Sequence, residues 1–232
     1  MPGYNERLFG GGVRKRLHEA RFHWLEKASR SLDCSTVFEL GCFDGKAINY
    51  LPRKPERYVG ADANWEGGLD DARKLWPQFE FHNCRHPDDI LDKVSGPFSL
   101  SIAMETFEHI PPAIVPDYID FLADITRGHV LITVPVEFGP VFLGKYLAKQ
   151  LVGSFSEKDG EVRSYTLGEV MNATIGRTSR VRRGEHKGFD YRWLRALLGQ
   201  RFDIIASEGH PFRLGPPWLN FGVGILARSR SI

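Results

Sequence analysis

A chain of 232 residues with 42% hydrophobic content is long enough to close one α/β domain with a full core and a modest insertion, so a single domain over 1–232 is expected. Its 31 basic and 29 acidic residues leave a formal net charge of +2, which excludes a global field of the kind that draws a protein to nucleic acid or to an anionic membrane. Cys34, Cys42 and Cys84 show neither paired nor metal-type spacing, Met1 to Gly12 lacks a signal-like apolar core, and no run approaches the ~18–20 apolar residues that span a bilayer, so a reduced, cytoplasmic setting is expected.

Short apolar runs alternate with longer helical patterns, the order of βαβ units and a mostly parallel sheet. Gly10, Gly11 and Gly12 read as a loop before a helix from about Val13 to Ser31, where Leu17, Phe22, Leu25 and Ala28 share a face; residues 1–35 form an N-terminal helical cap. A strand over Thr36 to Leu40 runs into a glycine turn and a helix from Lys46 to Leu51, stopped by Pro52. A second strand from Arg57 to Ala61 ends on Asp62, a helix follows from Gly68 to Trp76, and a third strand covers Phe79 to Asn83. The fourth strand is Phe98 to Met104, followed by Glu105-Thr106-Phe107-Glu108-His109 and a helix from Ala113 to Thr126, and the fifth is His129 to Val134. Residues 136–188 read as an insertion with an apolar and basic helix near Val141 to Val152, and form the lid or acceptor side. A helix from Tyr191 to Leu198 and strands Phe202 to Ser207 and Phe221 to Ala227 close the chain as an antiparallel edge pair.

A glycine turn between strand and helix lets the backbone approach a ligand closely, because a side chain there would collide with it. In Glu39-Leu40-Gly41-Cys42-Phe43-Asp44-Gly45 two glycines sit where such a turn needs them, behind an acidic residue at the strand end. Asp62 closes the next strand near the distance at which a carboxylate reaches the ribose hydroxyls of a nucleoside. Two carboxylates accept hydrogen bonds from hydroxyls and suit a cationic ligand, whereas they repel a pyrophosphate, which favours a sulfonium nucleoside over a nicotinamide dinucleotide. The glycines alone also fit tight helix-to-sheet packing, and Asp62 alone fits a turn cap.

Taken in order, these motifs resemble the class I S-adenosylmethionine-dependent methyltransferases, whose first strand ends in an acidic-x-Gly-x-Gly-x-Gly turn. Glu39, Gly41 and Gly45 match that turn, Phe43 stands where the family has its middle glycine, and the resemblance continues through Asp62, Met104-Glu105, Glu108-His109-Ile110-Pro111 and the last strands. It implies a doubly wound, seven-stranded, mostly parallel Rossmann-like sheet with an antiparallel C-terminal strand. It also implies S-adenosylmethionine as methyl donor, with Glu39 and Gly41 at the methionyl end and Asp62 on the ribose. Cys42, Asp44, Gly45, Ala63 and Met104 complete the expected lining, with Asn83 near the adenine.

Methyl transfer from a sulfonium is an in-line displacement that mainly needs alignment, but an alcohol acceptor must also lose its proton to a base or beside a cation. In a helical turn starting at Glu105, Glu105, Glu108 and His109 would share one face beside the fourth strand's end, where the acceptor belongs. Such ligands suit Mg, Mn, Zn or Fe, and without an ion the same residues would cap the turn or act as a base. The run is similar to one in small-RNA 2′-O-methyltransferases and ubiquinone-pathway O-methyltransferases, where it accompanies a divalent cation. By that resemblance His186, in His186-Lys187-Gly188-Phe189, is the fourth ligand, although the run is one glycine longer.

The expected acceptor is a hydroxyl on a small molecule, glycan or lipid intermediate. Phe138 to Lys149 fits a lid helix on its own domain better than a membrane surface, and Arg177, Arg180, Arg182 and Arg183 fit a solvated face better than a phosphate-binding one. Without aromatic residues interleaved on a basic face, an RNA 2′-O-methyltransferase ranks second. A non-catalytic nucleoside-binding partner subunit is the third reading, opposed by the intact acidic-histidine set.

Overall fold

The computed structural model describes residues 12–65, 67–152, 165–184, 186–212 and 215–230. Gly10 and Gly11 of the expected opening loop lie outside them. In chain order the elements are α1 (Gly12–Ser29), β1 (Thr36–Leu40), a 3-10 helix (Lys46–Tyr50), β2 (Arg57–Asp62), α2 (Gly68–Leu75), β3 (Glu80–Asn83), β4 (Phe98–Met104), α3 (Val115–Ile125) and β5 (Thr126–Pro135). They continue with α4 (Gly139–Val152), α5 (Leu167–Thr174), α6 (Tyr191–Arg201), β6 (Phe202–His210) and β7 (Gly222–Ser229). The expected helix after β1 is a single tight 3-10 turn, because Pro52 leaves no room for a full α-helix beyond Leu51.

One seven-stranded sheet carries the strands in the order β3-β2-β1-β4-β5-β7-β6, parallel except for β7, which runs antiparallel to both of its neighbours. This is the doubly wound sheet expected from the strand pattern. Side chains alternate across a strand, so Val37 and Leu131 face one layer while Phe38 and Ile132 face the other. On one side Phe38, Phe98 and Ile132 pack against Ile119 and Leu122 of α3 and Leu194 of α6. On the other, Val37, Leu100 and Leu131 pack against Trp24 and Leu25 of α1 and Leu69 of α2. Burial on both faces explains why the strands read as continuous apolar runs. Trp24 lies flat where a Cβ on Gly224 would stand, and its Nε1 donates to Glu208 Oε2 at 3.2 Å, which pins α1 across β6 and β7.

After β5, Val136 and Phe138 still join the main core, whereas the next helices build a satellite beside it: Phe142 of α4, Val170 and Ala173 of α5, and Val181 cluster with Leu143, Tyr146 and Tyr165. Lys145 anchors α4 by donating from Nζ to the carbonyls of Val136 at 2.9 Å and Phe221 at 3.2 Å. Among the described residues no helix is long and apolar enough to cross a membrane.

The strand order reverses direction between β1 and β4. Loops leaving the carboxyl ends of these two strands diverge there, which is where open parallel sheets hold ligands.

Candidate functional site

A cavity of about 350 Å³ opens at that switch point. Its wall takes Arg21 and Phe22 from α1, residues 39–44 from β1 and its turn, Asp62, Ala63 and Trp65 from the end of β2 and beyond, Cys84 and Arg85 after β3, and Met104, Glu105, Thr106 and His109 from the end of β4 and beyond. Of the residues expected at a nucleoside, Glu39, Gly41, Cys42, Asp44, Asp62, Ala63 and Met104 share this wall. Gly45 and Asn83 do not. Gly45 starts the 3-10 helix, and a Cβ on it would stand 3.0 Å from the Trp76 ring, so its smallness serves packing. Asn83 is exposed at the end of β3; Cys84 N donates to Asp62 O at 2.9 Å, and this turn brings Cys84 and Arg85 to the wall instead.

The turn holds three left-handed residues, Gly41 at φ 75°, Phe43 at φ 47° and Gly45 at φ 72°. Phe43 therefore keeps the conformation of the glycine it replaces, and its ring fills the space above Gly68 that any side chain there would need. At Gly41 the constraint is steric as well, because a Cβ would overlap the Thr106 hydroxyl, which donates to Leu40 O at 3.1 Å. Asp62 closes the turn from the neighbouring strand. Its Oδ2 accepts from Phe43 N at 3.0 Å and its Oδ1 from Asn64 N at 2.6 Å. This is the turn-capping role foreseen as the plain alternative, yet each oxygen retains a lone pair and the carboxylate still lines the cavity.

Glu39 is buried, and the Tyr58 hydroxyl donates to its Oε2. Burial pushes the carboxyl up to about 8, against the pull of Tyr58 and with help from Asp44 and Asp62. A buried carboxyl in this state gains most from a cationic neighbour. Burial and then Glu39 also raise the Cys42 thiol well above its ordinary range, so it serves as wall and not as a nucleophile.

The expected helical turn at Glu105 does not form. Glu105 sits at φ 54° and donates its N–H to Thr133 O at 2.8 Å, extending the strand pairing, and tight turns then bond His109 N to Thr106 O at 3.0 Å. Glu105 consequently does not join Glu108 and His109 as a third converging ligand, although its charge still acts on the Glu108 carboxyl. The cluster that does converge is Glu108, His109 and His186, which offer one oxygen and two ring nitrogens all within 4.8 Å of one another. Glu108 is 0% exposed and neither of its carboxylate oxygens has a hydrogen-bond partner. His109 Nε2 stands 4.0 Å from Glu108 Oε1, and the His109 and His186 rings meet edge to face at 4.6 Å. Burial, then the charge of Glu105, drives the Glu108 carboxyl well above the usual range.

His186 arrives from the far segment because its loop is held at both ends. Lys187 Nζ bonds Glu169 Oε2 of α5 at 2.8 Å, and Gly188 at φ 70° turns Phe189 into the core. The extra glycine of the His186 run is thus the residue that allows this turn. Of the four clustered arginines, Arg177, Arg180 and Arg182 are exposed. Arg183 instead turns inward, stacking 4.7 Å over Phe189 and donating to Glu108 O at 3.4 Å.

Three participants carried no sequence signal. Arg21 is one of several basic residues on α1, Tyr58 reaches Glu39 only because β1 and β2 are neighbours, and Glu137 lies 3.9 Å from His186 Nδ1 and 3.4 Å from Lys145 Nζ.

No family model and no curated protein matches this chain. Solved structures do. A S-adenosylmethionine-dependent methyltransferase from Clostridium acetobutylicum ATCC 824 superposes with a TM-score of 0.61 at 11% identity, over 98% of this chain and 96% of that one. Magnesium protoporphyrin IX methyltransferase (ChlM) from Synechocystis PCC 6803 with bound S-adenosylhomocysteine gives 0.56 at 17%, over 97% and 91%. The 1,6-didemethyltoxoflavin-N1-methyltransferase of Burkholderia thailandensis gives 0.58 at 14%, over 92% and 80%. At these identities the shared property is the fold, that of S-adenosylmethionine-dependent methyltransferases.

Proposed function

We propose that the chain is a S-adenosylmethionine-dependent methyltransferase that methylates a hydroxyl on a small molecule, glycan or lipid-linked acceptor. The observation that carries this is one continuous cavity at the switch point, in which the left-handed turn at Gly41, the Glu39 carboxyl and the Asp62 carboxylate line the same wall as Glu105 and His109. Asp62, oriented by Phe43 and Asn64 amides, accepts the ribose hydroxyls; Ala63, Cys84 and Met104 supply apolar wall; Glu39 answers the donor's positive charge. When bound, the donor supplies an activated methyl group. Without an ion, His109, next along the wall, takes the acceptor's proton.

Glu108, His109 and His186 fit a divalent cation such as Mg, Mn, Zn or Fe, because a fully buried carboxyl whose two oxygens make no hydrogen bond ionises only at a cost unless something positive joins it. Such an ion would lower the acceptor hydroxyl's affinity for its proton. Glu105 stays on the cavity wall outside this set. The same cluster serves the second reading, RNA 2′-O-methylation, but three exposed arginines and one inward arginine do not make the continuous basic groove that a nucleic-acid backbone needs.

Calorimetric titration with S-adenosylhomocysteine tests the reading. Wild type should bind one equivalent, and Asp62→Ala should lose about 30-fold or more, the equivalent of roughly 2 kcal/mol for charge-assisted hydrogen bonds. Equal affinities would remove Asp62 from the ligand.

Glu39 makes a second expectation. Its raised value of about 8 means the carboxyl is protonated near neutrality in the free protein, whereas the ligand's ammonium favours the ionised form. Affinity should therefore fall as pH drops from about 8 to about 6, by at most about tenfold per unit. Glu39→Gln should flatten that profile; an unchanged slope in the variant would place the titration elsewhere.

A further inference from the structure

Two of the three converging groups, Glu108 and His109, leave the same turn after β4, whereas His186 comes from a distant loop and its side chain is 45% exposed. A half-exposed imidazole can turn about its side-chain bonds and carry its one proton on either nitrogen, and only a nitrogen without a proton can hold an ion. Presenting that nitrogen steadily requires a partner on the other one.

Glu137 stands at that place. It follows β5, between Val136 and Phe138, which both turn into the main core. Its Oε1 faces His186 Nδ1 at 3.9 Å, a small ring rotation short of a hydrogen bond, while the same ring meets His109 edge to face at 4.6 Å. The carboxylate is itself held. Lys145 Nζ donates to the same Oε1 at 3.4 Å, and Lys145 is fixed in turn by the carbonyls of Val136 and Phe221 and by the Phe221 ring at 4.1 Å. Both side chains of this pair are only 14% exposed, so the carboxylate is a firm point beside a ring with more freedom. The charge of Glu137 also acts on the carboxyls of Glu105 and Glu108, which puts it next to the cluster. It is not one of the ligand groups, because among the described residues Glu108, His109 and His186 are the set whose atoms come within 4.8 Å of one another.

We propose that Glu137 is the positioning residue of His186: it takes the Nδ1 proton and so turns Nε2 toward Glu108 and His109. The assignment rests on the cluster being a cation site. A carboxylate behind a ligating imidazole fixes its tautomer, aims the ring and makes the other nitrogen more basic. Because Glu137 is tied to Lys145, the same contact joins the cation site to the satellite helix α4. The plainer role, an ion pair that holds α4 and nothing more, predicts that removing either member has the same effect.

Long-range proton–nitrogen correlation spectra of histidine-labelled protein read the tautomer directly at pH 8, above the ordinary histidine range, with the His186 signal identified by its absence in His186→Gln. Wild type without metal should carry the His186 proton on Nδ1, and Glu137→Ala should move most of it to Nε2. Mn titration followed by electron paramagnetic resonance should show Glu137→Ala binding about tenfold or more weakly than wild type. Glu137→Gln, whose amide oxygen still accepts the proton, should stay within about threefold of wild type, and so should Lys145→Met. A wild-type proton on Nε2, or one that stays on Nδ1 in Glu137→Ala, would overturn the assignment. So would equal losses in Glu137→Ala and Lys145→Met, which belong to a fold anchor, or a loss of about a hundredfold in Glu137→Gln, which belongs to a direct ligand. Undiminished Mn uptake by Glu137→Ala would overturn the assignment and leave the cation site standing, whereas a wild type that takes up no Mn would sink both.

Discussion

Gly41→Ala should lower affinity for S-adenosylhomocysteine by about a hundredfold or more while the protein still folds. Two costs combine at this position. The backbone is left-handed at φ 75°, where a Cβ costs roughly 1–2 kcal/mol. The new methyl would also overlap the Thr106 hydroxyl and stand 2.7 Å from Thr106 Cγ2, so Thr106 must leave Leu40 O or the turn must open. Either movement displaces the wall shared by residues 39–44 and Thr106, and roughly 2.7 kcal/mol of misfit is a hundredfold in binding. Gly67 provides the control, because it has the same φ of 75° but open space around its Cα. Gly67→Ala should lose stability comparable to the backbone term alone and keep its affinity within about threefold. Circular dichroism melts and titration of both variants decide this; equal affinity in Gly41→Ala and wild type would show that the turn does not touch the ligand.

Metal binding should respond as sharply to Glu108. Wild type stripped with chelator should take up one Mn per chain, with its melting temperature rising on addition, and Glu108→Gln should weaken that uptake by about a hundredfold or more, as loss of a charged ligand does. In metal-free buffer the sign reverses. The wild-type carboxyl, which burial and Glu105 hold toward its neutral form, then has no hydrogen bond at either oxygen, so the neutral amide should melt at the same temperature or higher. His186→Ala should weaken uptake less, because its side chain is 45% exposed and water can take its place. Electron paramagnetic resonance of the Mn and a melt series would read both effects. A wild type indifferent to the ion, with Glu108→Gln simply destabilised, would make the cluster a structural one.

How far each feature could be read in advance follows from the range of the interaction that creates it. Strands buried on both faces announce themselves as apolar runs, and the prolines and glycines between them punctuate the chain, so the seven strands and the antiparallel ending were readable from local pattern. The acidic strand end, Gly41 and Asp62 were readable because a close backbone approach restricts residue types. The helical turn expected at Glu105 fails for a tertiary reason: its N–H pairs with Thr133 O, and the resulting left-handed backbone breaks the helical spacing, so Glu105 is not among the three groups that converge within 4.8 Å. His186 reached the cluster through the Lys187–Glu169 pair and the Gly188 turn, neither of which periodicity reveals. Arg21 had no signal at all. Its distinction from the other basic residues of α1 lies wholly in which way the helix docks, and that is set by Trp24 against Gly224, some 200 residues away in the chain.

A crystal grown with S-adenosylhomocysteine tests the central claim most directly. The account predicts the nucleoside in the crevice between β1 and β4, its ribose hydroxyls on Asp62 and its homocysteine end at Glu39. Side chains filling that crevice, with the ligand bound elsewhere or nowhere, would contradict it.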